Sequence, residues 1–290
     1  MLTKMKLILS SCLLAVATLL MPALASANDD KVVGLQLYSL REEFPKDIKG
    51  TLEKVAKAGF KEVELYGFSK KTQFFGMTPA ELKTILDANG LKAISGHYML
   101  GSYLADGNQE ELIAAIEACK TLGSTYLTVP YLLPDVRKTE ADYYKIAERL
   151  NEAGKLCKAA GIKLSYHNHD FEFTKFGATT GYEILLKNTR KKLVAFELDL
   201  YWAVRSGNDP KALFAANKKR FSMWHVKDMD KNDPKLNAEV GTGSIDFKAI
   251  FAEAKLSGMK HFFVEHETNY KPNPLGSVTQ SCDYIKKELL

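Results

Sequence analysis

The chain has 290 residues, 46% of them hydrophobic and 26% charged, with a net charge of +5 and four cysteines. So mild a positive charge excludes a surface built for nucleic acid, and the clusters Lys70-Lys71, Arg190-Lys191-Lys192 and Lys218-Lys219-Arg220 read as solvated loop and helix ends. The cysteines have no CxxC spacing, and an odd number remains once the leader described below is removed, so buried thiols at Cys119, Cys157 and Cys282 are expected in place of a disulfide framework.

Lys4 and Lys6 precede an apolar run from Leu7 to Leu20, followed by Pro22 and the small residues Ala25-Ser26-Ala27. This is the order of a secretory signal peptide, here residues 1–27, cleaved after Ala27. The run from Leu9 to Cys12 resembles a lipoprotein box, but the apolar stretch continues past the cysteine. Cleavage leaves one domain, residues 28–290, whose charge falls to +3 as Lys4 and Lys6 depart, in a periplasmic or secreted protein. No other segment holds the roughly 20 apolar residues that a membrane-spanning helix needs.

Eight short β-branched or apolar runs follow: Val32 to Tyr38, Glu62 to Tyr66, Lys92 to His97, Thr125 to Pro130, Lys163 to Asn168, Val194 to Asp199, Ser222 to Lys227 and Phe262 to Glu267. Amphipathic helical segments separate them, with one apolar stripe at Leu112, Ile113, Ile116, Cys119 and Leu122 and another at Ile146, Leu150, Ala153 and Cys157. Five of these segments end in a glycine, Gly59, Gly90, Gly123, Gly161 or Gly258, suited to the left-handed position that closes a helix. The repeat predicts an α/β fold, a single (β/α)₈ TIM barrel filling the length left by the signal peptide. A doubly wound sheet is disfavoured because no GxGxxG follows the first strand.

In such a barrel the strand C-termini carry the chemistry, and side chains two apart share a face. His167 with His169, Glu197 with Asp199, His225 with Lys227, and Glu265 with Glu267 therefore form same-facing pairs on four successive strands. Alternation alone leaves open which of His167 and His169 is a ligand. Mixed imidazole and carboxylate donors suit one divalent ion among Mn, Zn, Co, Fe, Ni or Mg better than the oxygen cages of Ca. Glu64 and His97 are expected as contacts to substrate hydroxyls, or else as a barrel-mouth ion pair and a hydrogen-bonded histidine, and Trp202 as an aromatic face for substrate C–H groups, or else as a residue buried in the rim. Lys227 is expected to steady an oxyanion or protonate a leaving oxygen, or else to pair with Asp228 or Asp230. His261 and His266 are assigned to structure, Phe171, Phe173 and Phe176 to packing a loop, and Gly241-Thr242-Gly243 to a turn in preference to a phosphate cradle.

The motifs YHNHDFEF, FELDLYW, WHVKD, EVGTGSIDF and FFVEHE, in this order, resemble the xylose isomerase-like TIM-barrel family of sugar isomerases and epimerases over essentially all of the mature chain. The resemblance implies a divalent metal held by His167, Asp199, His225 and Glu265. Many members carry glutamate where His167 stands, which leaves Glu265 as the carboxylate base with His169 as its companion. The function so implied is proton abstraction beside a carbonyl of a non-phosphorylated sugar or sugar derivative, as an isomerase or epimerase. The alternatives are a lyase or hydratase on a keto-sugar such as a 3-keto-glycoside or its glycal, and a non-catalytic carbohydrate-binding protein.

Overall fold

The computed structural model describes residues 31–290, so the leader assigned to residues 1–27 lies outside the described residues. All eight expected runs are strands: β1 Gly34–Gln36, β2 Glu62–Ser69, β3 Lys92–Tyr98, β4 Tyr126–Val129, β5 Lys163–His167, β6 Val194–Asp199, β7 Phe221–Val226 and β8 His261–Val264. Each pairs in parallel with the next, and β1 pairs with both β2 (Gly34 opposite Glu62) and β8 (Gly34 opposite Phe263), which closes the barrel. Closure leaves no free edge among the eight strands.

Four strands are shorter than their sequence pattern, β4 and β5 by one or two end residues and β1 and β8 through specific hydrogen bonds. Gln36 ends β1 because its side chain accepts the Tyr38 backbone N–H at 3.0 Å and coils Leu37–Leu40 into a 3₁₀ turn. Residues 265–267 leave the sheet after β8, where His266 donates its N–H to Ser39 Oγ and Glu267 donates to Asn237 Oδ1.

The helices α1 Ile48–Lys57, α2 Pro79–Ala88, α3 Glu110–Leu122, α4 Glu140–Ala159, α5 Gly181–Asn188, α6 Pro210–Ala216, α7 Phe247–Ala252 and α8 Pro274–Glu288 surround the barrel. Three start with a reciprocal capping box: Thr78 with Glu81, Thr139 with Asp142, and Thr180 with Glu183. All five expected stop glycines have positive φ, from 64° at Gly90 to 93° at Gly59. At Gly123 this conformation lets the amide reach back to the α3 carbonyls of Cys119 and Lys120.

The α3 stripe is corrected at one position. Leu112, Ala115, Ile116, Cys119 and Leu122 face the core, while Ile113 points to solvent. The three cysteines are buried free thiols. Arg220 is not a solvated helix end: it is buried, donating to the carbonyls of Leu186, Thr189 and Val194 and to Thr189 Oγ1, so it ties the end of α5 to β6.

Strand alternation splits the buried residues into two sets. Phe196, Leu198, Trp224, Val226, Phe262 and Val264 join the large core shared with the helices. Tyr126, Ala195, Met223 and Phe263 form a separate apolar plug. Ala195, Met223 and Phe263 each stand two residues before Glu197, His225 and Glu265, so the plug forms the floor on which the polar site rests.

Candidate metal centre and active site

Register brings the expected residues of β5, β6 and β7 side by side, with His167 opposite Glu197 and Asp199 opposite His225. Donor atoms of Asp199, His225 and Glu265 all lie within 4.8 Å of one another. His225 Nδ1 is 3.0 Å from Glu265 Oε2 and 3.9 Å from Asp199 Oδ2, and His167 Nε2 is 4.0 Å from the same Asp199 oxygen. Asp199 also caps the short helix Leu200–Arg205: its Oδ1 accepts the Trp202 N–H at 3.0 Å, while its buried Oδ2 accepts no hydrogen bond.

A second set lies alongside. Glu197 Oε2 is 3.0 Å from His97 Nε2, 3.1 Å from His167 Nδ1 and 3.3 Å from His225 Nε2. Glu64 Oε2 is 3.0 Å from His97 Nε2 and 2.7 Å from His225 Nε2, and it also accepts from Gln36 Nε2 at 2.7 Å. His225 therefore turns Nδ1 toward Asp199 and Glu265 and Nε2 toward Glu64 and Glu197. Glu64, expected as a sugar contact or ion pair at the mouth, has no exposed surface and serves in this inner network.

Lys227 is as buried as the carboxylates it serves. Its ammonium donates to Glu265 Oε2 and Glu267 Oε2, each at 2.7 Å, and stands 3.3 Å from Asp199 Oδ2. It is not paired with Asp228 or Asp230. Burial alone would lower the Lys227 pKa, but Asp199, Glu265 and Glu267 together hold it well above the ordinary value. Against the opposing effect of burial, Lys227 and His225 hold the Glu265 carboxyl well below its usual range. Burial, reinforced by the nearby Lys227 charge, pushes His169 down to about 3, so it is a neutral imidazole. Burial and the charge of Glu64 raise Glu197 to about 7.

Together Glu64, Glu197, Asp199, Glu265 and the partly buried Glu267 set five carboxylates against one ammonium. Charges removed from water demand partners. Without a metal, protonated His97 and His225 supply part of the compensation, and a divalent cation that displaces such protons fits the same place: the donors are imidazole nitrogen and carboxylate oxygen, and Asp199 Oδ2 is buried without a hydrogen bond. The residues present thus fit such an ion.

A cavity of about 370 Å³ opens over this cluster. His97, His167, His169, Lys227, Glu265 and Glu267 line its deep end, and Tyr38, Tyr66, Met99 and Tyr131 line its mouth. Trp202, expected as a sugar platform, is not among the lining residues; its ring lies 5.3 Å from the Lys227 ammonium and 5.5 Å from the His169 ring. Phe171 stacks on His169, and Phe173 and Phe176 pack on Tyr182 and Tyr143, securing the loop as expected. Glu172 was not singled out by sequence. It is fully buried, accepts from Tyr166 Oη at 2.6 Å and from the His169 N–H at 2.8 Å, and so fixes the turn that aims His169.

The Gly241-Thr242-Gly243 segment is a turn whose amides are already taken. Asp228 Oδ2 accepts from Gly241 and Gly243, each at 3.0 Å, and its Oδ1 accepts from Met229 at 2.8 Å and Ile245 at 3.1 Å. An internal carboxylate fills the nest that a phosphate would otherwise occupy. His261, at the opposite barrel end, bonds Glu62 at 2.8 Å, while His266 is buried beside Ser39 and Tyr270.

Residues 52–288 match the family described as xylose isomerase-like TIM barrel. An inosose dehydratase of Clostridium tetani is 29% identical over 172 residues, 52% of this chain and 56% of that protein, so the chain spans just over half the length of this curated relative. A solved structure from Parabacteroides distasonis, described as a sugar phosphate isomerase/epimerase, is 31% identical with a TM-score of 0.77, covering 92% of this chain and 97% of its own. A structure of the IOLI protein with a bound zinc atom shares the fold at 17% identity and a TM-score of 0.69, covering 89% and 99% of the two chains. With the barrel closed and the match running through its strand-end motifs, the chain belongs to the xylose isomerase-like TIM barrel family.

Proposed function

We propose that this chain is an exported, metal-dependent enzyme that removes the proton beside the carbonyl of a non-phosphorylated sugar or cyclitol ketone and then expels the oxygen at the β carbon. The observation that carries this reading is the 2.7 Å hydrogen bond from Lys227 to Glu265 at the deep end of the cavity. A proton acceptor and a proton donor stand next to each other on one side of the cavity, the arrangement a syn elimination requires. The similarity to inosose dehydratases and the zinc bound in a family structure support the same reading. So does Asp228, which fills the turn where a phosphosugar would seek its anchor.

His167, Asp199, His225 and Glu265 are the residues that would hold the divalent ion. When bound, it supplies Lewis-acid polarisation of the substrate carbonyl. The chain does the rest. Glu265 takes the α-proton, the β C–O bond breaks, and Lys227 gives its proton to the departing oxygen, releasing water or an alcohol. The proton held by Glu265 then passes along the same hydrogen bond to restore the ammonium. Tyr38, Tyr66 and Tyr131 narrow the mouth and offer aromatic surface to the substrate.

A second reading, isomerisation or epimerisation, is favoured by the 31% identical relative and by His169, which lines the same cavity with Nδ1 unpartnered and can return a proton to a neighbouring carbon. Product analysis by NMR in D₂O distinguishes the two, using Mn²⁺-loaded protein on inosose, 3-keto-glycosides and free aldoses and ketoses. An unsaturated product or released alcohol supports elimination. Deuterium uptake with an unchanged formula supports isomerisation, and no exchange on any of them sinks both.

A further inference from the structure

We infer that the barrel holds a second, inner cation site, formed by Glu64 of β2, His97 of β3, Glu197 of β6 and Nε2 of His225, with His167 Nδ1 beside it. This set is distinct from the outer group of Asp199, His225 Nδ1, His167 Nε2 and Glu265. Donor atoms of His97, His167, Glu197 and His225 fall within 4.8 Å of one another, although four different strands supply them, and Glu64 of a fifth strand stands against His97 and His225. Ligands bonded to one transition-metal ion at about 2.0–2.2 Å stand roughly 3.0–3.5 Å apart. The Glu197 oxygen meets its three imidazole nitrogens at 3.0, 3.1 and 3.3 Å, and Glu64 meets His97 at 3.0 Å and His225 at 2.7 Å, the last a hydrogen-bond spacing that a bound ion would widen.

A second observation is independent of these spacings. Glu64 and Glu197 are both fully buried, and each keeps one carboxylate oxygen, Oε1, with no hydrogen-bond partner. Two fully buried carboxylates with spare lone pairs, facing three imidazoles, form a donor set for a transition metal of the Mn, Fe or Zn class. Nothing in the chemistry proposed above requires Glu64 or Glu197, and neither lines the cavity. His225, with one nitrogen directed to each set, links the two sites; with both ions bound it releases its ring proton to solvent and bridges them as an imidazolate.

Metal counting tests the inference directly. Purified protein stripped with chelator, equilibrated with Mn²⁺ or Zn²⁺ and freed of excess ion is analysed by mass spectrometry for bound metal per chain. Two equivalents are expected for the native chain, with one equivalent lost in His97→Asn or Glu64→Gln and the other lost in Glu265→Gln. Because Glu265→Gln reports on the outer site and His97→Asn on the inner one, failure here is separable from failure of the proposed function. Mn²⁺ electron paramagnetic resonance needs no variant, and so covers the case in which a substitution prevents folding. An exchange-coupled spectrum at saturation supports two neighbouring ions. One equivalent in the native chain, an isolated six-line Mn²⁺ signal, or a His97→Asn protein with undiminished metal content overturns the inner site.

Discussion

Replacing Lys227 by methionine removes a buried ammonium while keeping most of its aliphatic volume. The ammonium donates to Glu265 and Glu267 at 2.7 Å and stands 3.3 Å from Asp199, and it is about 1% exposed. Breaking a buried ion pair from one side costs about 3–5 kcal/mol, because the partner charge is left in a low-dielectric site without compensation. Three carboxylates are left here, so a loss at the upper part of that range is expected in chelator. The assay is urea unfolding followed by circular dichroism, for native and Lys227→Met protein, in EDTA and in saturating Mn²⁺. A cation held by Asp199, His225 and Glu265 supplies the missing positive charge, so Mn²⁺ should at least halve the penalty. A loss below about 1 kcal/mol in EDTA would show that the ammonium is not what balances these carboxylates. A penalty indifferent to Mn²⁺ would refute the outer cation site.

Other consequences follow from residues around the site. Asp228→Ala strands the amides of Met229, Gly241, Gly243 and Ile245; with each bond to a carboxylate worth about 1.5–3 kcal/mol and the exposed turn recovering some water contacts, about 3 kcal/mol or more should be lost in urea unfolding. A loss under about 1 kcal/mol would mean that the turn stands without Asp228. Glu172, pushed up by burial to about 7 despite donors from Tyr166 and the His169 amide, keeps its proton in the folded state where the unfolded chain has lost it. Its contribution to stability is therefore fully present below about pH 4.3 and declines as pH rises through about 7, by a few kcal/mol in total. The stability difference between native protein and Glu172→Gln, followed in urea from pH 4.5 to 7.5, should change in that direction; a constant difference would contradict the assignment.

Much of the fold was legible because its signals are periodic and local. Eight apolar runs separated by amphipathic helices, with glycines such as Gly123 and Gly161 at the stops, imply a barrel before any tertiary contact is known. Pairing residues two apart also anticipated that His225 and Lys227 would face the same region as Glu265 and Glu267. Depth was not legible. Whether Glu64 reaches the mouth or the interior depends on the stagger between strands, a property of closure that no single strand encodes. Glu197 shares a face with Asp199, yet lies one layer deeper and meets different partners. Trp202 was read from its distance along the chain to Asp199, and the helix that Asp199 caps sets its ring behind two cavity-lining residues, 5.3 Å from the Lys227 ammonium and 5.5 Å from the His169 ring. Arg220 looked like one more surface cation because its carbonyl partners come from residues 26 to 34 positions away.

The most direct test is anomalous diffraction from crystals equilibrated with Mn²⁺, recorded near the manganese edge. A strong peak is expected among Asp199 Oδ2, His225 Nδ1 and Glu265 at the C-terminal ends of β6, β7 and β8, with His167 of β5 completing the shell. Density that remains empty there at saturating Mn²⁺, with Lys227 still bonded to Glu265, would contradict a metal-dependent reaction at this site.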